Sequence, residues 1–233
     1  MGDTHRLLIF GAGGSGREIA AWAPSASWDG RRFELLGLID DRVAEAARGD
    51  GTTIGQAAAA EVDGLPVLTL LEAADRHPDA CVVVAVGDPR LRERLVGAAV
   101  AAGLRAAPPL VHPSVEIAPG LVRIGDGAVI CPGSIVTVNV EIGPHVQVNV
   151  HCSVMHDARI GAYATLSPAT RINGNVHVGM RAFLGSGAVT VNGHSGRPLV
   201  IGADAVVGAG AVVTGDIRSG ATVTGVPARE RRR

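Results

Sequence analysis

The chain has 233 residues, enough for one large domain or two modest ones. Its formal net charge of −1 at pH 7 gives no electrostatic basis for binding nucleic acid or a membrane surface. The apolar runs are too short to span a bilayer, and the three cysteines form no CxxC pair, so we expect a reduced, cytoplasmic protein without a membrane anchor.

Residues 1–109 alternate short apolar runs with helical segments. The runs RLLIFG, FELLGLID, LPVLTL and CVVVAVG predict strands. GREIAAWA, residues 71–77 and residues 89–102 predict helices. Because strands that alternate with helices are typical of a parallel sheet, residues 1–109 are predicted to form a Rossmann-like α/β domain.

A glycine-rich segment, GAGGSG, separates the first predicted strand from the first predicted helix. Glycines at this spacing let a backbone approach a phosphate, and the helix N-terminus supplies free N–H groups. An acidic pair ends the second predicted strand, where Rossmann domains hold a ribose hydroxyl. The alternative is a tight turn followed by a solvated acidic loop. The candidate nucleotide-binding residues are Gly11, Gly13, Gly14, Ser15, Gly16, Asp40 and Asp41.

Residues 110–233 follow a six-residue period. A branched aliphatic residue recurs at every sixth position over a long stretch, and a second small or aliphatic residue lies two positions before each. Three six-residue sides make one triangular coil of 18 residues, so this part is predicted to be a left-handed parallel β-helix. The predicted inward residues are Ile124, Ile130, Val136, Ile142, Val148, Val154, Ile160, Leu166, Ile172, Val178 and Leu184.

The period converts sequence positions into geometry. Residues 18 apart stack in neighbouring coils at roughly the 4.8 Å spacing of strands. His156 lies two positions after the inward Val154, so it is predicted at a corner, pointing outward beside Asp157. Gly174 occupies the same column one coil later, and Asn192 follows in the next coil.

The outward position of His156 has two other interpretations. An outward histidine can be an ordinary surface residue, an interpretation that applies more fully to His145, His151 and His177. Alternatively, His151 and His156 have the spacing of two zinc ligands in gamma-class carbonic anhydrases. The third ligand of that pattern would fall near position 115, where no histidine is in register.

Motifs along nearly the whole chain resemble one family, the sugar O/N-acyltransferases typified by UDP-4-amino-sugar N-acetyltransferase and sialic acid O-acetyltransferase. The first part carries LLIFGAGGSGREI, LGLIDD and VVAVGDPRLRERL. The second carries HPSVEIAPG, NVHCSVMHDARIGAYATLSP, INGNVHVG, VVGAGAVVTGDI and GVPAR. The combination is more specific than any one of these motifs.

The resemblance implies roles for the residues of the β-helix. It implies that His156 is the catalytic base, with Asp157 beside it to raise its basicity and orient its ring. It implies that the Gly174 N–H meets the thioester carbonyl and that Asn149 contacts the acceptor. Thr165 stands where some members place a second histidine near the donor. The candidate donor-binding residues are Thr165, Gly174, Gly185, Gly208 and Ala209.

The function expected from the resemblance is acetyl transfer from acetyl-CoA to the amino group of a nucleotide-linked amino sugar. The resemblance also implies a homotrimer with the donor groove between subunits, and no metal. O-acetylation of sialic acid or another sugar hydroxyl stays open as the alternative. A nicotinamide oxidoreductase and a non-catalytic nucleotide-sugar-binding scaffold are the interpretations from other classes.

One interruption breaks the period. The inward positions Thr190 and Ile201 are eleven residues apart instead of six, so five residues must leave the coil. The surplus, around residues 192–198, contains two glycines and a proline, which favour an irregular excursion. We expect it to project beside His156 and Gly174 and to help enclose the donor; the alternative is a surface insertion without a role.

Overall fold

The computed structural model describes residues 4–48, 60–118, 120–194 and 196–231. Its first part is a sheet with helices, as predicted. The strands are β1 His5–Phe10, β2 Ser27–Trp28, β3 Arg31–Ile39, β4 Glu61–Val62, β5 Leu65–Leu68, β6 Cys81–Val84 and β7 Arg105–Ala106. The helices are α1 Gly14–Trp22, α2 Asp41–Arg48, α3 Leu70–Arg76 and α4 Pro89–Ala101, with a 3-10 turn at Ala23–Ser25.

The core of this sheet is parallel, in the order β5-β3-β1-β6-β7, while β2 and β4 add antiparallel pairs at β3 and β5. Leu8 and Ile9 of β1 are fully buried, which is typical of a central parallel strand covered on both faces. The chain order reverses between β1 and β6. In such sheets ligands bind outside the carboxyl ends of the strands at this reversal, where the glycine-rich segment lies.

The second part is the predicted left-handed parallel β-helix, whose two- and three-residue strands stack into three faces. Face 1 contains Leu110–Val111, Val129–Ile130, Gln147–Val148, Thr165–Leu166, Phe183–Leu184, Val206–Val207, Thr222–Thr224 and the antiparallel Arg229–Glu230. Face 2 contains Glu116–Ile117, Ile135–Val136, Ser153–Val154, Arg171–Ile172, Val189–Thr190 and Val212–Val213. Face 3 contains Val122–Ile124, Val140–Ile142, Arg159–Ile160, Val176–Val178 and Leu199–Ile201.

The strand register follows the predicted 18-residue repeat. Val136 pairs with Val154 and Val154 pairs with Ile172, so the coils stack without a shift. Most of the predicted inward residues pack in one continuous core, with Ile124 only partly buried at its edge. Thr190 and Ile201 are both buried, so the period resumes after the interruption, as predicted.

Left-handed backbone conformations make the corners of the triangle. Asn139, Asp157 and Asn175 have φ between 54° and 61°, and the corner residues His145 and His151 have φ of 56°. Asparagine, aspartate and histidine adopt this region more readily than other L-residues, which explains why polar residues interrupt an otherwise aliphatic pattern.

A buried arginine on α4 fastens the first part to the β-helix. Arg92 is 1% exposed, and burial lowers its pKa to about 10, so the guanidinium is still charged at neutral pH. It donates to oxygens of the β-helix and to one carbonyl of the first part, which orients α4 on face 1. Its acceptors are the carbonyl oxygens of Val86, His145, Tyr163 and Ala164 and the side chains of Gln147 and Thr165.

The side of the first part that carries α1 also packs on face 1. Trp22 of α1 makes an edge contact with the ring of His112, with the centroids 5.4 Å apart. Val129 and Cys131 of the β-helix share a core cluster with β1 and α1. In the part of the chain that is described, no helix has the length and hydropathy needed to cross a membrane.

Candidate active site

His156 lies at the corner between face 2 and face 3, as the repeat predicts. Val154 before it is fully buried, whereas the His156 side chain is 55% exposed. Its ring leans toward the next coil: a Cβ built on Gly174 would lie 2.4 Å from His156 Nε2. A side chain at position 174 would therefore displace the ring from this position, and Nε2 lies close to the Gly174 backbone.

Asp157 holds the other nitrogen of the ring. His156 Nδ1 and Asp157 Oδ2 are 2.9 Å apart. Neighbouring residues on a strand point to opposite sides, but Asp157 has a left-handed φ of 61°, which returns its side chain to the histidine. An ionised Asp157 accepts a hydrogen bond from Nδ1–H, and this tautomer leaves Nε2 unprotonated and able to accept a proton.

Asn139, which the sequence analysis did not single out, completes this chain of hydrogen bonds. Its Nδ2 donates to Asp157 Oδ1 over 2.6 Å. The pKa of Asp157 is held below its ordinary value by this bond first and by the His156 bond second. Asn139 lies 18 residues before Asp157, so the count that related His156 to Gly174 also contained the signal for it.

The other outward histidines of the β-helix are arranged differently. The rings of His145 and His151 lie over Gly127 and Gly133 of the preceding coil, whereas His156 leans toward the following coil. The His145 ring also stacks on a tyrosine, and burial lowers the pKa of this histidine. Among the described residues, no group of three His, Cys, Asp or Glu side chains is placed to hold a metal ion.

The Gly174 N–H already has an acceptor in the protein. It donates to Asn192 Oδ1, with nitrogen and oxygen 3.1 Å apart. The predicted column of His156, Gly174 and Asn192 is therefore present. The N–H expected to meet a thioester carbonyl is therefore engaged by a side chain of the same column.

The interruption after Thr190 forms a small hairpin at this corner. His194 and Arg197 exchange two backbone hydrogen bonds of 2.9 Å, and Asn175 Nδ2 donates to the His194 carbonyl over 2.6 Å. With Asp157 and face 3, the hairpin lines a pocket of about 240 Å³. The predicted excursion beside His156 is thus observed; its contact with a donor stays a prediction.

The glycine-rich segment has the geometry of an anion-binding loop. Gly13 precedes α1 in extended conformation, and no side chain caps the first turn of the helix. Gly13 and Gly14 are exposed, and no described atom lies within 4 Å of a Cβ built on either. Gly16 has a structural role in packing the helix against the loop. A Cβ built on it would lie 1.7 Å from the Gly11 carbonyl oxygen, so a larger residue does not fit.

Asp40 and Asp41, the two acidic candidates, have different hydrogen-bond partners. Asp40 accepts from the Ala12 N–H at 3.2 Å, so its carboxylate stands beside the glycine-rich loop. Asp41 begins α2 and accepts from the Leu70 N–H at 2.8 Å, which commits it to the start of α3.

The chain is similar to known proteins in both sequence and structure. Residues 6–98 match the model of the PglD N-terminal domain. Over 150 residues the chain is 33% identical to the GDP-perosamine N-acetyltransferase of Escherichia coli O157:H7, covering 64% of this chain and 67% of that protein. The acetyltransferase domain of PglB from Neisseria gonorrhoeae FA1090, solved with acetyl coenzyme A, is 30% identical over 98% of this chain and 100% of that one, with a TM-score of 0.80. The chain belongs to this family of sugar acetyltransferases.

A second solved structure covers both parts of this sugar acetyltransferase. PerB from Caulobacter crescentus, solved in complex with CoA and GDP-perosamine, is 30% identical over 97% of each chain, with a TM-score of 0.78. The family is one of acyltransferases, so the oxidoreductase and scaffold interpretations are set aside. The resemblance drawn from the motifs is confirmed.

The remaining candidates of this sugar acetyltransferase do not meet His156 within one chain. Asn149, Gly185, Gly208 and Ala209 follow face 1 strands and occupy the corner between face 1 and face 2. His156 lies across face 2 from that corner. Asn149 donates from Nδ2 to the Leu166 carbonyl at 2.9 Å, and a Cβ on Gly185 would collide with Ala209 N at 2.6 Å.

Thr165 lies at the contact between the two parts of the chain, and its role toward the donor stays a prediction. This residue is 2% exposed, its hydroxyl donates to the Gly87 carbonyl at 2.8 Å, and it accepts from Arg92. Its side chain fastens the first part to face 1 and does not line an open groove. The alternation of the β-helix predicted its outward direction, but not the helix that covers it.

Proposed function

We propose that this chain transfers the acetyl group of acetyl-CoA to the amino group of a nucleotide-linked amino sugar. The observation that carries the proposal is the pair of contacts around His156: Nδ1 bound to Asp157 and Nε2 placed against Gly174. Two relatives support the donor and acceptor classes, since PglB was solved with acetyl coenzyme A and PerB with CoA and GDP-perosamine.

The proposed reaction uses His156 twice. His156 Nε2 takes a proton from the sugar amine while the nitrogen of that amine attacks the thioester carbon, and a tetrahedral intermediate forms. Asp157 stabilises the resulting imidazolium, and the Gly174 N–H stabilises the intermediate's oxyanion. When the intermediate collapses, the carbon–sulfur bond breaks, the amide forms, and the imidazolium proton neutralises the CoA thiolate.

We place the acceptor nucleotide on the first part of the chain. The Gly11–Ser15 loop and the N-terminus of α1 would bind its phosphates, and Asp40 would accept from a ribose hydroxyl. Burial of all three free cysteines is compatible with a reducing compartment, and we propose that the reaction takes place in the cytoplasm.

A second copy of the chain would complete the site. The first part packs on face 1, near the corner that carries Asn149, whereas His156 lies on the far side of face 2. If face 2 of each copy packs around a threefold axis, His156 of one copy meets Asn149, Gly185 and the acceptor domain of its neighbour. We therefore propose a homotrimer with the donor groove between copies.

The proposed function is tested by measuring thiol release from acetyl-CoA against a panel of nucleotide-linked amino sugars and their hydroxyl analogues. His156→Ala should lower kcat about 10²–10⁴-fold with an unchanged circular dichroism spectrum, because a general base is lost. His77→Ala, which removes a histidine at the C-terminal end of α3, is the matched control and should retain activity. A fully active His156→Ala enzyme contradicts the assignment, and turnover of the hydroxyl analogues alone contradicts N-acetylation.

A further inference from the structure

The Gly174 amide has two neighbours in its column, and they act on different atoms. His156 in the preceding coil lies against its Cα, and Asn192 in the following coil accepts its N–H. A single N–H makes one well-directed hydrogen bond, and sharing it between two acceptors weakens both. A thioester carbonyl that reaches this N–H must therefore displace the Asn192 oxygen.

The backbone around Asn192 does not move freely. The Val191 N–H donates to the Val213 carbonyl, and the Gly193 N–H donates to the Gly174 carbonyl, both over 2.9 Å. The hairpin that follows is anchored by Asn175 and returns to the coil at Leu199, whose N–H donates to the Asn175 carbonyl. These bonds keep the Asn192 Cα in the Gly174 column.

The Asn192 side chain, in contrast to this backbone, is exposed to solvent. Its amide can therefore exchange the Gly174 N–H for water after a change of χ1. The displacement needs no movement of the coil and leaves the His156 ring in place. The structure thus contains a removable acceptor on the atom that the reaction is proposed to use.

We propose that Asn192 is a positioning residue that occupies the Gly174 N–H in the empty enzyme and yields it to the acyl carbonyl of the donor. This inference rests on the proposed function, and specifically on the role of Gly174. Its consequence is selectivity between acetyl-CoA and CoA. CoA lacks the thioester carbonyl that competes for this N–H, so only the binding of acetyl-CoA is opposed by the contact with Asn192.

Calorimetric titration with acetyl-CoA and, separately, with CoA tests this inference without an acceptor. Asn192→Ala leaves the Gly174 N–H bonded to water, and acetyl-CoA should bind about 2- to 10-fold more tightly, the equivalent of one modest hydrogen bond. CoA should bind as it does to the wild type. Asn192→Asp should weaken acetyl-CoA relative to CoA, because a carboxylate accepts the N–H more strongly than an amide.

His194→Ala is the matched control, since it changes a hairpin side chain and keeps the backbone bonds of the hairpin. It should leave the ratio of the two dissociation constants at the wild-type value. Equal shifts for both ligands in Asn192→Ala, or no shift, overturn the inference, because a general structural effect acts on both ligands alike. Asn192→Asp keeps the size of the side chain, so unchanged acetyl-CoA binding in that variant also overturns the inference by leaving a steric explanation. Weaker binding of acetyl-CoA alone also overturns it.

Amide hydrogen exchange separates this inference from the proposed function. In the ligand-free protein the Gly174 N–H should exchange faster in Asn192→Ala than in the wild type, whatever the enzyme acetylates. Equal exchange rates contradict the contact itself. A wild-type protein that binds neither acetyl-CoA nor CoA contradicts the proposed function, even when the exchange rates differ as expected.

Discussion

At the scale of single residues, the site depends on one corner of one coil. The left-handed backbone of Asp157 turns its carboxylate to His156 Nδ1, and Asn139 one coil earlier holds the second oxygen. The pKa of Asp157 is lowered, so the carboxylate is ionised throughout the neutral range. The histidine therefore faces a negative charge at every pH at which the enzyme is expected to work.

Replacing Asp157 with Asn should separate orientation from charge. We expect kcat to fall about 10- to 100-fold, less than for His156→Ala, because the base is retained. The asparagine amide can still accept from Nδ1–H but carries no charge to stabilise the imidazolium, so the loss should appear in kcat while both KM values change little. A fully active Asp157→Asn enzyme contradicts the pairing.

Asn139→Ala tests the hydrogen bond that Asn139 donates to the Asp157 carboxylate. It removes the largest cause of the lowered pKa of Asp157, so that pKa should rise toward its ordinary value, as measured by carboxyl ¹³C NMR. Activity at neutral pH should change little, since the carboxylate is still ionised there.

At the scale of elements, the glycine-rich loop and α1 divide their glycines between two tasks. Gly16 has a structural task, because the helix approaches the Gly11 carbonyl too closely for any side chain. Gly13 has ordinary φ and open space around it, so the fold itself does not require glycine there. What requires a small residue at position 13, on the proposed function, is the approaching phosphate.

Gly13→Val should therefore fold normally and raise the KM for the nucleotide sugar at least about tenfold, because its side chain occupies the space of the phosphate. The KM for acetyl-CoA should be unchanged, since we propose the donor groove on the β-helix. Gly97→Val on α4, another glycine with open space around its Cβ, is the control and should change neither value. An unchanged acceptor KM in Gly13→Val excludes the loop from acceptor binding.

At the scale of the whole molecule, one chain separates the residues that the proposed reaction uses. The first part, where we propose that the acceptor binds, packs on face 1, and His156 lies beyond face 2. The outward side chain of Ile135 on face 2 is 40% exposed. Packing of face 2 against other copies would cover this apolar residue and join the two halves of the site.

Ile135→Arg tests this arrangement, because a charge on face 2 would be buried in the proposed trimer. We expect light scattering to give the mass of one chain instead of three, with activity lost in parallel. Val200→Arg places the same charge on face 3 at a residue that is equally exposed, and it should retain both mass and activity. An active monomer of Ile135→Arg contradicts a site shared between copies.

Much of this architecture could be predicted from the sequence, because the β-helix is a one-dimensional repeat. A coil of 18 residues places each side chain inward or outward and aligns His156, Gly174 and Asn192 by counting alone. The same count could have identified Asn139, which lies 18 residues before Asp157. The glycine-rich loop was predictable because glycines at this spacing between a strand and a helix are typical of a phosphate-binding turn.

The tertiary structure decided what the repeat does not encode. Thr165 points outward by the period, yet it is buried, because Arg92 of α4 docks on it from 73 residues away in the chain. The contact of Asp157 with His156 depends on a backbone rotation, and the bond from Gly174 to Asn192 depends on a side-chain rotation; a residue count predicts neither. The sequence by itself determined which residues share a column, since that follows from the period. Which of them are covered, paired or free was decided by long-range packing and torsion angles.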